Sequence, residues 1–154
     1  MRPWRPFRLA VLFLSWILCS LGKVDVASAQ TWTSLGPEGG RVNALAIDPT
    51  TPTTLYAGTN GGGVFKSTDG ATTWTAANTG LNNPNVFGLA IDPTTPTTLY
   101  AGTSSGVFKS TDGGDNWSDI SQGLNCTDVR ALAVAPTTPT TVYAGTGCGV
   151  FVLH

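Results

Sequence analysis

The fourteen residues from Ala46 to Thr59, Ala-Ile-Asp-Pro-Thr-Thr-Pro-Thr-Thr-Leu-Tyr-Ala-Gly-Thr, recur unchanged from Ala90 to Thr103 and return almost intact from Ala133 to Thr146. Tyr56, Tyr100 and Tyr143 follow one another at 44 and 43 residues, Phe65, Phe108 and Phe151 at 43 and 43, and Trp32, Trp74 and Trp117 at 42 and 43. A chain built this way must fold as copies of one unit, because each copy carries the same local preferences and the same apolar positions to bury. No stretch carries the longer period of an amphipathic helix.

Each unit reads as short strands. Val42 to Ile47 is an apolar run ended by Asp48-Pro49, Thr54 to Ala57 is a β-branched and aromatic run ended by Gly58, Gly63 to Lys66 makes a third, and Trp74 to Ala76 opens a fourth. Between the third and fourth, Ser67-Thr68-Asp69-Gly70 supplies a turn, since Asp accepts from backbone N–H groups just ahead of it and Gly tolerates positive φ. The second unit runs through Val86 to Ile91, Thr98 to Ala101, Gly106 to Lys109, a turn at Ser110 to Gly114, and Trp117. The third gives Val129 to Val134, Thr141 to Ala144 and Gly149 to Val152. Four short strands per period of this size are the blade of a β-propeller. The expected fold is all-β: blades of four antiparallel strands in three tandem repeats, a partial or small propeller. The blades are expected at about 36–77, 80–120 and 123–154, with an additional N-terminal strand at 31–35.

Residues 1–29 are read as a leader. Arg2, Arg5 and Arg8 precede an apolar run from Leu9 to Leu21, and Ala27-Ser28-Ala29 is a small-residue cleavage site, the order of a secretory signal peptide. The run is shorter than the roughly 18 to 20 residues a spanning helix needs. A secreted or periplasmic protein of residues 30–154, with no membrane association after cleavage, is the expectation. Loss of the leader leaves Arg41, Lys66, Lys109 and Arg130 against Glu38 and seven aspartates, a net charge near −4. That balance argues against a nucleic-acid partner.

Ser67-x-Asp69-x-Ala71-x-Thr73-Trp74 and Ser110-x-Asp112-x-Gly114-x-x-Trp117 resemble the Asp-box, or bacterial neuraminidase repeat, whose pattern is Ser-x-Asp-x-Gly-x-Thr-Trp. Ala71 and Asn116 depart from it at single positions, and each departure is expected to loosen its turn. The resemblance extends over Thr31 to Val152 and points to secreted bacterial propellers. That superfamily includes sialidases, xyloglucan-degrading glycosidases, sortilin-type receptors and photosystem II assembly factors. What the resemblance implies for Ser67, Asp69, Trp74, Ser110, Asp112, Gly114 and Trp117 is a structural role, with the Asp-box turns at the blade periphery; Trp74 and Trp117, which follow those turns and recur with the period, are expected to pack between blades rather than form an aromatic ligand platform. The resemblance confers no activity by itself.

An enzyme finds little support. A sialidase-like site would need three arginines, a tyrosine nucleophile with a glutamate partner and a further carboxylate, whereas residues 30–154 hold two arginines and one glutamate. A general glycosidase needs two carboxylates across the scissile bond, and Asp115, Asp119, Asp128 and Glu38 are the acids without a repeat role. His154 stands alone and the two cysteines have no zinc-site spacing, so neither metal nor cofactor is expected. Positions that differ between repeats are the better guide to a ligand surface. Arg41, Asn85 and Asp128 stand just before the first-strand valine, and Asn43, Phe87 and Arg130 just after it. This rim marks a non-enzymatic binding or interaction scaffold for a protein or glycan. A sialidase-like glycoside hydrolase fragment and a vestigial, truncated propeller are the alternatives.

Two further expectations concern assembly. Cys126 and Cys148 lie in loops on the same side of the third blade, in a compartment that permits oxidation, and are expected to form a disulfide. The strand at Thr31–Leu35 and the three-stranded third repeat are complementary, so a homodimer completing a six-bladed ring is expected.

Overall fold

In the computed structural model, residues 31–136 and 141–154 are described; the leader falls outside them. The chain divides into two units between Thr33 and Ser34. All regular structure among the described residues is β, and none of their segments is a helix long and apolar enough to cross a membrane.

The described residues of Ser34–His154 form eleven strands in three sheets. Blade 1 contains β1 (Arg41–Ile47), β2 (Leu55–Asn60), β3 (Gly63–Ser67) and β4 (Thr75–Ala76). Blade 2 contains β5 (Val86–Ile91), β6 (Leu99–Thr103), β7 (Gly106–Ser110) and β8 (Ser118–Asp119). Blade 3 contains β9 (Val129–Val134), β10 (Val142–Thr146) and β11 (Gly149–Leu153). Every sheet is an antiparallel meander in sequence order, and the registers of blades 1 and 2 match position for position: Tyr56 lies opposite Lys66 and Tyr100 opposite Lys109. The expected strand at Thr31–Leu35 is not formed: these residues pair with no strand, and Trp32 is 102% exposed. A two- to five-residue strand has no stability without a neighbouring edge, and the register that would make it a fourth strand points to blade 3 rather than to blade 1.

In blades 1 and 2 the loop between the first and second strands is closed by aspartate. Asp48 Oδ1 accepts from Thr50 N at 2.8 Å, Thr50 Oγ1 at 2.7 Å and Thr51 N at 3.1 Å, and Asp92 repeats the arrangement with Thr94 and Thr95. The Thr50 hydroxyl, helped by the backbone N–H groups of Thr50 and Thr51, holds Asp48 below the usual carboxylate range against the opposing effect of desolvation.

The inner strands β1, β5 and β9 lie side by side, and the core forms where one blade's face meets the next. Between blades 1 and 2 it contains Tyr56, Val64, Leu81, Val86, Leu99, Phe108 and Trp117. Glycine permits the close approach: a methyl group on Gly58 would lie 2.6 Å from Val86 Cγ1, and one on Gly102 would lie 2.7 Å from Val129 Cγ1. Polar ties cross the same junction. Tyr56 Oη donates to Gly113 O at 3.0 Å, Trp117 Nε1 donates to Ala77 O at 2.9 Å, and Lys66 Nζ stands 3.6 Å from Asp115. Burial, reinforced by the charges of Asp48 and Asp115, pushes the Tyr56 hydroxyl up to about 12.

Candidate functional site

The two Ser-x-Asp turns are nearly superimposable in their bonding. Ser67 Oγ donates to Asp69 Oδ1 at 2.8 Å and accepts from Ala71 N at 2.9 Å, while Ser110 Oγ donates to Asp112 Oδ1 at 2.8 Å and accepts from Gly114 N at 2.9 Å. Asp69 then accepts from Thr73 N at 2.9 Å and Thr73 Oγ1 at 2.6 Å; Asp112 accepts from Asn116 N at 2.9 Å and Asn116 Nδ2 at 2.8 Å. Asn116 therefore does not loosen its turn, because its amide supplies the bond that the Thr73 hydroxyl supplies in the other. Ala71 keeps the hydrogen bonds too, at the expense of a backbone φ of +71°, where Gly114 sits at +89°. The side-chain donors Thr73 and Asn116, then the backbone and serine donors, lower both carboxyls to about 2. Asp69 and Asp112 are exposed, whereas Ser67, Ala71, Ser110 and Gly114 are buried, and both turns lie at the outer edge of their blades, between the third and fourth strands.

The two tryptophans behind these turns differ. Trp117 is 6% exposed within the core between blades 1 and 2. Trp74 is only half-buried: its Nε1 donates to Leu35 O at 2.9 Å, and residues Ser34 to Glu38 lie over it. The expectation that both pack between blades holds for Trp117 alone, since no blade covers the face on which Trp74 lies.

The rim residues are brought together by a device that the sequence reading missed. In each inner strand the ladder slips by one residue after the first valine, and the extra residue is Asn43, Phe87 or Arg130. A β-bulge re-aims the side chain it carries, and here three bulges line up across neighbouring strands. Asn43 Nδ2 donates to Val86 O at 3.0 Å, bridging blades 1 and 2. The Arg130 guanidinium stands over the Phe87 ring at 5.5 Å, bridging blades 2 and 3. Arg130 Nη2 and Nε also donate to Asp128 Oδ2, at 2.7 and 3.0 Å, while Asp128 Oδ1 is buried with no protein hydrogen-bond partner. Asn85 N is held by Asn83 Oδ1 at 2.9 Å, and Arg41, at the start of β1, is exposed and lies opposite Asn60. The signal available in the sequence was the coincidence of the most variable position with a fixed Val-x-(Ala/Gly)-Leu frame, in which a small residue follows the variable one.

Carboxylates that could do chemistry are largely engaged elsewhere. Asp48, Asp69, Asp92 and Asp112 close turns, Asp119 holds Ser121, Asp115 faces Lys66, and Asp128 faces Arg130. Among the described residues no three His, Cys, Asp or Glu side chains converge as a metal site would require. Cys126 and Cys148 are joined in a disulfide with Cα atoms 6.1 Å apart, tying the loop before β9 to the β10–β11 turn.

No protein-family model matches the chain, and neither does any curated protein. Solved structures do. An ancestral GH74 enzyme is 29% identical with a TM-score of 0.64, over 78% of this chain and 15% of that one. YCF48 from Cyanidioschyzon merolae is 20% identical with a TM-score of 0.60, over 80% of this chain and 37% of that one. A YCF48 bound to D1 peptide is 16% identical with a TM-score of 0.55, over 71% of this chain and 35% of that one. The fold is a partial β-propeller. The chain spans well under half the length of each of these proteins, which include both an enzyme and a peptide-bound protein.

Proposed function

We propose that this protein is an exported, non-catalytic propeller module that binds a polypeptide or glycan segment across the inner-strand rim. The observation that carries this reading is the alignment of the three bulges. They present an amide (Asn43), an aromatic face (Phe87) and a guanidinium (Arg130) in a row, with a buried, unpartnered carboxylate oxygen on Asp128 beside them. An aromatic surface with a few fixed polar groups suits orientation of a ligand rather than bond cleavage. The engagement of the aspartates in turns and ion pairs supports the same reading, as glycoside hydrolysis requires two carboxylates about 5 to 9.5 Å apart across a substrate. The Ser67–Trp74 and Ser110–Trp117 turns serve as Asp-box turns, and the Arg-rich, apolar leader directs export. Peptide recognition by the YCF48 structure lends the polypeptide alternative a precedent on the same fold.

The test is an array of peptides and glycans probed with the exported protein, followed by Phe87→Ala and Arg130→Ala. Both variants should lose the hits by tenfold or more while melting within a few degrees of the parent. Turnover of xyloglucan or a sialylated substrate by the parent protein, abolished by substitution of Asp128 or Glu38, would establish the hydrolase reading favoured by the GH74 likeness instead.

A further inference from the structure

The two outer faces of the three-bladed unit are copies of the two halves of a junction that already exists inside it. In the junction between blades 1 and 2, Tyr56, Gly58 and Val64 of one blade receive Val86, Leu89 and Ile91 of the next. The residues in register with the receiving set are Tyr143, Gly145 and Val150 on blade 3, and those in register with the inserting set are Val42, Leu45 and Ile47 on blade 1. Both sets are open: Val150 is 75% exposed, Leu45 63% and Ile47 55%.

A second observation points to the same partner. Trp117 seals its junction by packing among Val64, Ala77 and Leu81. The residues in register one blade on are Val107, Ile120 and Leu124, and they line a cavity of about 280 Å³ closed on the other side by Val142, Phe151 and Leu153. Among the described residues no tryptophan fills it, and Trp32, in register with Trp74 and Trp117, is fully exposed. Thr33 and Ser34 follow Trp32 as Thr75 and Ala76 of β4 follow Trp74, so their register partners on a blade 3 edge are Val152 and Phe151. Leu35 is already positioned for this: its carbonyl accepts from Trp74 Nε1 as Ala77, the residue after β4, accepts from Trp117 Nε1. Blade 1 thus already contacts, through Trp74, a segment corresponding to the outer strand of a preceding blade.

We infer that two copies of this chain join head to tail, the receiving face of one blade 3 against blade 1 of the other. Residues Trp32–Leu35 of each copy complete the partner's third sheet and place Trp32 in its cavity. Three such blades closed on themselves would turn about 120° each, outside the roughly four to eight blades of natural propellers, whereas two sets of three make six. The contact is heterologous, two different patches meeting, and two such contacts close the ring.

Light scattering on the exported protein should give twice the chain mass, and a folded species of single-chain mass overturns the inference. Trp32→Ala should shift the mass to that of one chain while leaving the far-ultraviolet circular dichroism unchanged. Leu45→Asp and Val150→Asp should each be single chains, yet their mixture should recover a two-chain species, because one of its two junctions contains neither substitution. Failure of the mixture to associate while both variants remain folded overturns the head-to-tail arrangement. If either variant unfolds, the doubly substituted Thr33→Cys, Val152→Cys protein decides: a covalent dimer under oxidation supports strand exchange, and cross-linking confined to single chains excludes it.

Discussion

The junction between blades 1 and 2 and the outer face of blade 3 are written in almost the same residues and behave oppositely. Val64 is fully buried and Val150 is three-quarters exposed; Tyr56 is buried with its hydroxyl bonded to Gly113, and Tyr143 is exposed. Burial in a repeat protein is a property of the neighbour rather than of the repeat itself, since stability is the sum of each unit and its interfaces. The same residue substituted at equivalent places should therefore have unequal consequences, and the size of the inequality measures the interface.

Tryptophan gives the largest contrast. Trp117→Ala removes an indole from a closed core and a hydrogen bond to Ala77, and should cost about 3 to 5 kcal/mol in urea unfolding. Trp74→Ala acts on a half-buried ring covered only by residues 34–38, and about 1 to 2 kcal/mol is expected from the smaller area returned to water. Equal losses in a single-chain species would mean that residues 34–38 seal the face of blade 1 as well as a blade does.

The disulfide comes next. Cys126 and Cys148 are 22 residues apart, and replacing both by Ser should cost about 2 to 4 kcal/mol through the freer unfolded chain. Blade 3 is the sheet without a fourth strand, so the loss should appear first as faster hydrogen exchange in β9, β10 and β11. Uniform acceleration across all three blades would show that the staple supports the whole array.

Glycine separates closed from open faces more finely. Gly102→Ala places a methyl group 2.7 Å from Val129 Cγ1 and 3.2 Å from its backbone oxygen, and should cost about 1 to 3 kcal/mol. Gly145 is in register with it, but a methyl group there meets Ala131 Cβ at a comfortable 3.5 Å. In a single chain Gly145→Ala should therefore be neutral by melting temperature. A destabilisation as large as that at Gly102, confined to conditions where two copies associate, would indicate that Gly145 meets a partner's valine.

At the turns the contrast is between Ala71 and Gly114. A non-glycine residue in the left-handed region costs about 1 to 2 kcal/mol, and Ala71 sits there because Ser67 binds its N–H as Ser110 binds that of Gly114. Ala71→Gly should stabilise the protein by about 1 kcal/mol or slightly less, since glycine also gains freedom when unfolded. No change in the denaturation midpoint would mean that the buried Ala71 methyl group offsets the strain by its contacts.

Much of this architecture was legible in the sequence because the repeat multiplies weak signals. One Val-rich run is ambiguous between strand and buried helix, but three in register, each followed by Gly and an aromatic, are not. The paired strands, the two serine–aspartate turns and the approach of Cys126 to Cys148 all follow from local residue chemistry. What was not legible depends on neighbours. The bulges at Asn43, Phe87 and Arg130 arise from the pairing of two strands, and nothing in a single strand announces which residue will be left unpaired. The unequal burial of Trp74 and Trp117 is invisible for the same reason: the two residues have nearly identical sequence surroundings and differ in what lies against them. Thr31–Leu35 carries the pattern of a strand, but a strand needs an edge to pair with.

The smallest expected effect tests whether the two turns are energetically alike despite different donors. Both Asp69 and Asp112 are lowered from 3.8 to about 2 in the folded protein, Asp69 chiefly by the Thr73 hydroxyl and Asp112 chiefly by the Asn116 amide. A carboxyl whose folded value lies below its unfolded one stabilises the fold above the unfolded value, and that contribution fades as pH falls through the folded one. Stability should accordingly decline between about pH 4 and pH 2, with the steepest loss about midway, near pH 3, where the unfolded chain is mostly protonated and the folded one is not. Because the two carboxyls are exposed, solvent and salt screen them and the decline should be shallow. Carboxyl carbon shifts in a pH titration should show both aspartates ionising near the same low pH. Asp69→Asn and Asp112→Asn should each flatten the acid limb of the stability curve by a similar amount. A flattening produced by one substitution and not the other would show that hydroxyl and amide donors are not equivalent here, although they occupy the same place in the turn.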